Sequence, residues 1–267
     1  MTLQKKRLFT IALTSVTYLI MVTMNALANI LPINGQNTGE ISDAYPNLFA
    51  PAGITFSIWG LIYLLLFVYI IYQGAIYHKS SMARQRLLTQ IGIIFSISSI
   101  ANALWILAWH YEVFIVSLLL MFIILGCLIG INKILQKQVL STKDRLFIRL
   151  PFAVYFGWIT VATIANVTTF LVAINWQGFN LSEIFWTNLI ILIGTVIGAA
   201  GILLYKTKAY GFTIIWAYIG ILIKHTSADG FNSAYPSVVV SVSLSIALLC
   251  IVILYLKFSN KKMRRPY

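Results

Sequence analysis

Charge is what this sequence has least of: 9% of its 267 residues are charged, and only six are acidic. Soluble domains carry about a quarter, so a water-facing surface of ordinary extent is excluded. Cysteine is nearly missing too. Cys127 and Cys250 fall inside apolar runs with no CxxC or Cys/His grouping, which excludes a disulfide framework and leaves them as small buried hydrophobes. His78, His110 and His225 stand singly at the edges of apolar runs, read as interfacial residues, so no metal site is expected. GxSxG, HExxH and P-loop patterns are absent and no acid lies inside an apolar run. Acid and base catalysis therefore has no pair to work with, and no catalytic residue is assigned.

What fills the chain is apolar: 60% of residues are hydrophobic and the mean hydropathy is +0.90. Crossing about 30 Å of hydrocarbon takes around 20 residues. Runs of that kind lie at 8–30, 51–77, 87–109, 113–132, 150–174, 184–205, 209–224 and 236–257, which predicts an all-α polytopic membrane helix bundle of about eight transmembrane helices. No alternating segments of about 10 residues recur, which argues against a membrane β-barrel. No polar linker interrupts the runs, consistent with one membrane domain.

The formal charge of +13 has a topological explanation. Eighteen of the 19 basic residues sit on one set of alternate helix ends, while Lys224 and five of the six acids, Glu40, Asp43, Glu112, Glu183 and Asp229, sit on the other. The positive-inside bias then puts both termini in the cytoplasm of a multi-pass cell-membrane protein, and no nucleic-acid partner is needed. Lys224 reads as a helix-end lysine reaching the interface rather than a Schiff-base residue. The KKR start and "ALA" at 26–28 also fit a cleavable signal peptide, but about 20 apolar residues is long for one.

The longest loop, 31–50, "LPINGQNTGEISDAYPNLFA", carries Pro32, Gly35, Gly39 and Pro46 as turn residues. Loops of this length are uncommon and are often lids or binding loops. Beyond it, three runs present polar and aromatic stripes. Trp59 and Tyr63 are i, i+4 and share a face; Asn102, Trp105 and Trp109 follow at i, i+3, i+7; Tyr155, Trp158, Ala162, Thr163 and Asn166 run i, i+3, i+7, i+8, i+11. Amides at membrane depth are costly unless partnered, so Asn102 and Asn166 should face protein or a cavity. Helix packing and pocket lining both explain such stripes. Trp109, Trp176 and Trp186, near helix ends, read as interfacial belt residues.

In this order the stripes resemble the TspO/MBR family, the translocator or tryptophan-rich sensory proteins. The family's proline-rich approach and W-x3-Y resemble Pro46, Pro51, Trp59 and Tyr63; its N-x2-W resembles Asn102 and Trp105. Its fifth-helix Y-x2-W-x3-A-T-x2-N is matched by Tyr155, Trp158, Ala162, Thr163 and Asn166. The tandem proline is replaced by Ala50-Pro51, the tryptophan before it by Leu48 or Phe49, and the fifth-helix proline is displaced to Pro151.

The resemblance covers residues 8 to 176 and implies a five-helix ligand-binding region at 1–176 with a three-helix extension at 177–267. It further implies a Trp-lined cavity for porphyrin, haem or a sterol-like molecule. The cavity would be lined by the three sets of residues just named and closed by a lid containing Pro46 and Pro51. No obligatory cofactor is implied beyond porphyrin or haem as ligand. The expected partners are the lipid bilayer and a hydrophobic small molecule. A homodimer and a monomer covered by the extra helices both stay open, as do a secondary transporter or lipid-moving protein and a membrane enzyme acting on a tetrapyrrole.

Overall fold

Inside lipid a backbone must satisfy its own hydrogen bonds, and a continuous helix does so within one segment. The computed structural model describes residues 3–31, 33–77 and 80–262, and among them there is no strand. Pro32, His78, Lys79, Arg264 and Arg265, and the side chains of Lys5, Lys6, Arg7, Lys261 and Lys262, lie outside the description. The helices are α1 (Leu3–Ile30), α2 (Thr38–Ala44), α3 (Ile58–Tyr77), α4 (Met82–His110), α5 (Phe114–Gln136), α6 (Thr142–Asp144), α7 (Leu150–Ala173), α8 (Glu183–Tyr205), α9 (Lys208–Thr226) and α10 (Pro236–Lys262).

Local chemistry sets the ends. The Ser81 hydroxyl caps α4 by accepting from Arg84 N, and Ser182 caps α8 by accepting from Phe185 N, with Glu183 in the first turn complementing the helix dipole. Ser141 and Asp144 form a reciprocal capping box. A π-helical turn, Arg145–Arg149, joins α6 to α7. Pro151 explains it, since a proline two residues into α7 offers no N–H and crowds the carbonyl four residues back, which a widened turn relieves. The expected loop 31–50 is partly helical. Asn37 Oδ1 accepts from the amides of Gly39 and Glu40 at 3.0 Å, and Glu40 returns a bond to Asn37 N at 2.7 Å, which starts α2.

Among the described residues, seven helices are long and apolar enough to cross a membrane; this is a membrane protein. The eighth expected span, 209–224, is also helical but falls below the others in hydropathy. It spends positions on Tyr210, Gly211, Thr213, Tyr218 and Gly220, all buried against protein.

The chain divides into two units. Unit 1 is Met1–Ile41 with Ile58–Phe152, and unit 2 is Ser42–Ser57 with Ala153–Tyr267. The boundary expected after residue 176 falls within unit 2, at the turn between α7 and α8. In unit 1, α4 packs on α1 and α5. Thr14, Tyr18, Met21, Asn25 and Ala28 give α1 a buried stripe at helical spacing. Gly92 of α4 leaves no room for a Cβ between Thr10, Thr14 and Gln73. Tyr69, Phe95 and Phe152 meet edge to face with centroids 4.8–5.9 Å apart.

In unit 2, α10 packs on α8 and α9 through Val238, Val242, Ser245, Leu249, Ile253 and Leu256, all buried. Small residues of α8 receive the rings of α9, Gly194 against Tyr218 and Gly201 against Tyr210. Cys250, expected to be buried, is exposed on α10, and Cys127 is half-buried.

Candidate functional site

Unit 1 holds the first two stripes, and they meet. Trp59 stacks on Tyr63 with centroids 5.5 Å apart and lies 6.4 Å from Trp105; Trp105 stacks on Trp109 at 5.8 Å, and Trp109 meets Phe114 edge-on at 5.4 Å. These separations suit aromatic pairing. The result is a ladder of five rings from α3, α4 and α5. Tyr18 donates its hydroxyl to Tyr63 O at 2.8 Å, which ties α1 to the foot of the ladder.

Within the ladder, the buried Trp105 Nε1 has no hydrogen-bond partner among the described residues. A buried N–H left unmet costs about 1–3 kcal/mol, so this donor is poised for an acceptor. Asn102, fully buried, accepts from Asn25 Nδ2 at 2.7 Å through its side-chain oxygen, while Asn25 also donates to Met21 O. That oxygen of Asn102 therefore fastens α4 to α1.

Trp109 is not a belt residue. It is 6% exposed and its indole donates to Thr38 O at 3.2 Å. The reason is coverage: residues 33–41 fold over that end of α4, and Asn34 also donates to His110 O at 3.0 Å. His110 is thereby buried rather than interfacial. Spacing could have shown this, because Trp109 continues the face of Trp105 by one turn. Asn25, a lone amide among apolar residues of the first run, was the unused signal for the partner of Asn102.

Unit 2 holds the third stripe, on α7. Tyr155, Trp158, Thr163 and Asn166 are buried and Ala162 is half-buried. Trp158 meets Phe56 edge to face at 6.0 Å, and Thr163 Oγ1 donates to Ile159 O on its own helix. On the opposite side, a Cβ on Gly157 would lie 2.6 Å from Tyr210 O, so α7 and α9 approach backbone to backbone.

The segment 42–57, which carries Pro46 and Pro51, belongs to this unit. It is strapped to α8 and α9. Leu48 N donates to Glu183 Oε1 at 3.0 Å, and Leu48 O lies 2.8 Å from His225 Nε2. Ala52 N donates to Gly220 O at 3.0 Å, Trp216 Nε1 to Thr55 O at 3.0 Å, and Lys224 pairs with Asp43 at 3.2 Å. Lys224 is thus an ion-pair partner of the strap, and His225, expected at an interface, is buried under it. Burial of the imidazole lowers the His225 pKa, while the Leu48 carbonyl acts in the opposite sense.

Beside the strap, unit 2 opens a cavity of about 390 Å³, lined among others by Asn47, Phe49, Trp176, Glu183 and Trp186. The sequence pointed to no cavity there; Trp176 and Trp186, read as belt residues, sit 4.9 Å apart, centroid to centroid, in its wall. Among the described residues no group of three or more His, Cys, Asp or Glu side chains could hold a metal ion.

No curated protein and no solved structure matches the chain. The family model described as TSPO-like protein matches residues 11–255, running past residue 176 through α8 and α9 and into α10. With the match extending over nearly the whole length, and with the aromatic stripes in place within each unit, the chain belongs to the TSPO-like protein family.

Proposed function

We propose that this protein binds a flat hydrophobic ligand of the porphyrin, haem or sterol-like class on the tryptophan-rich face of unit 1, in a sensory or transport-linked role. The observation that carries the reading is the ladder Tyr63, Trp59, Trp105, Trp109 with a buried, unmet indole N–H at Trp105. A largely apolar surface with one directed polar group is the usual makeup of a small-molecule site. Family membership supports the ligand class. In unit 2, Tyr155, Trp158, Ala162, Thr163 and Asn166 carry the family's fifth-helix pattern and are assigned to ligand binding on that ground. The charge distribution along the sequence supports a cell-membrane protein with both termini in the cytoplasm.

Titrating the purified protein with protoporphyrin IX and following tryptophan quenching tests the reading. Saturable quenching is expected, with affinity reduced about threefold to tenfold in Trp105→Phe, which keeps a ring and removes the donor. Trp158→Phe tests the α7 stripe separately. Quenching that is absent, or that neither variant changes, means the stripes serve helix packing.

A further inference from the structure

The unit 2 cavity has a chemistry of its own. Glu183 is the one charged side chain in its wall. Glu183 Oε1 accepts from Leu48 N at 3.0 Å, and the other oxygen makes no hydrogen bond among the described residues. Of the neighbouring donors, Trp186 spends its single N–H on Gly178 O, and Asn47 Nδ2 and Gln177 Nε2 each give one of their two N–H groups to a carbonyl, Tyr45 O and Asn175 O. An anionic ligand would be repelled by the Glu183 carboxylate, with no cationic side chain in the wall to offset it. A cation would meet the carboxylate with an oxygen to spare.

Two indole rings complete the wall. Trp176 and Trp186 are inclined at 62° with centroids 4.9 Å apart, forming a corner of aromatic surface. The corner is rigid, because Trp186 is held to Gly178 O at 2.9 Å and Gly178 lies at φ +58°, where a Cβ would stand 2.9 Å from Trp186 Nε1. Only glycine fits both the backbone and the ring. Ring faces beside a carboxylate are the recurrent receptor for alkylated ammonium groups, and about 390 Å³ suits a small organic molecule rather than a bare metal ion.

We propose that this cavity binds an organic ammonium cation, its charge against Glu183 and its alkyl or aromatic body on Trp176 and Trp186. The cation could be supplied by a soluble amine or by the choline headgroup of a lipid, and the two sources share this chemistry. The site involves none of the unit 1 ladder, so it stands or falls separately from the porphyrin reading.

The test is equilibrium dialysis of radiolabelled benzyltrimethylammonium against the full-length protein in phosphatidylglycerol nanodiscs. Saturable binding is expected, weakened about tenfold in Glu183→Gln and about threefold in Trp186→Phe. Asp229→Asn, which removes an exposed acid that does not line the cavity, should bind as the parent does. The uncharged tert-butyl isostere should fail to compete; this comparison uses the native chain and holds whatever the variants do to folding. In phosphatidylcholine nanodiscs, loss of binding identifies the lipid headgroup as occupant and unchanged binding identifies the soluble amine. Equal binding by Glu183→Gln, or equal competition by the isostere, overturns the proposal.

Discussion

Gly220 and Gly60 are both helical glycines, yet a methyl group at each has opposite consequences. At Gly220 a Cβ would lie 2.7 Å from Thr55 Cγ2, 2.8 Å from Thr55 Cβ and in collision with its hydroxyl oxygen, so no rotation of Thr55 clears it. At Gly60 a Cβ meets nothing within 4 Å. Gly220→Ala should therefore destabilise by about 1–3 kcal/mol through overpacking. Gly60→Ala should stabilise by up to about 1 kcal/mol, through helix propensity. Thermal unfolding of the two variants beside the parent in one detergent checks both signs. A Gly220→Ala protein that melts with the parent would mean that the 53–57 turn does not rest on α9. At this scale the sequence was informative about residue kind and silent about partners. The i, i+4 spacing of Trp59 and Tyr63 announced a shared face, whereas the bond between Asn25 and Asn102 joins residues 77 apart, which no local period encodes.

The segment 42–57 shows how an element can be held without being regular. Its bonds run to α8 and α9 across separations such as 135 residues for Leu48 to Glu183 and 177 for Leu48 to His225. The sequence therefore displayed only its two prolines, while the apolar runs made the long helices legible through hydropathy alone. Helix α2 lay between: Asn37 and Glu40 form its start, a short-range signal masked by the glycines around it. His225 makes the strap sensitive to pH. With Leu48 O as acceptor, the neutral ring carries its proton on Nε2, and Nδ1 is buried with no partner among the described residues. The rings of Phe231 and Tyr235 lie 4.8 and 5.8 Å away and offer no carboxylate to a second N–H. Burial lowers the folded-state pKa below the ordinary 6.5. The neutral ring's contribution is then fully present above 6.5 and is lost as pH falls through that lowered value. The parent's melting temperature should drop by about 2–4 °C for each kcal/mol so lost between pH 7.5 and 5.5. His225→Gln, which keeps a donor for Leu48 O and cannot titrate, should lose less. Parallel pH profiles for the two proteins would remove His225 from this role.

For the whole molecule, the question is whether residues 209–224 of α9 make an eighth crossing. Among the described residues seven helices qualify by length and hydropathy, and an odd count would put the termini on opposite sides. Hydropathy measures what lipid sees, however, and α9 shows much of its surface to protein. Tyr210, Thr213, Ala217, Tyr218 and Ile221 are buried, with the Tyr218 hydroxyl donating to Ile191 O at 2.9 Å. A helix covered by neighbours can carry such groups across a membrane because they are satisfied internally. Its 19 residues rise about 28 Å, close to the hydrocarbon thickness. Charge agrees with a crossing, since Lys206 stands before α9, Lys208 opens it and Asp229 lies beyond it, in the same alternation that runs through the rest of the chain. The expected outcome is eight crossings. On a background lacking Cys127 and Cys250, cysteines at Thr2 and Lys261 should react with an impermeant maleimide only after the cells are opened, while one at Asp229 reacts in intact cells. Labelling of a single terminus in intact cells would instead make α9 a helix that does not traverse, and the even alternation of charge would lose its topological explanation.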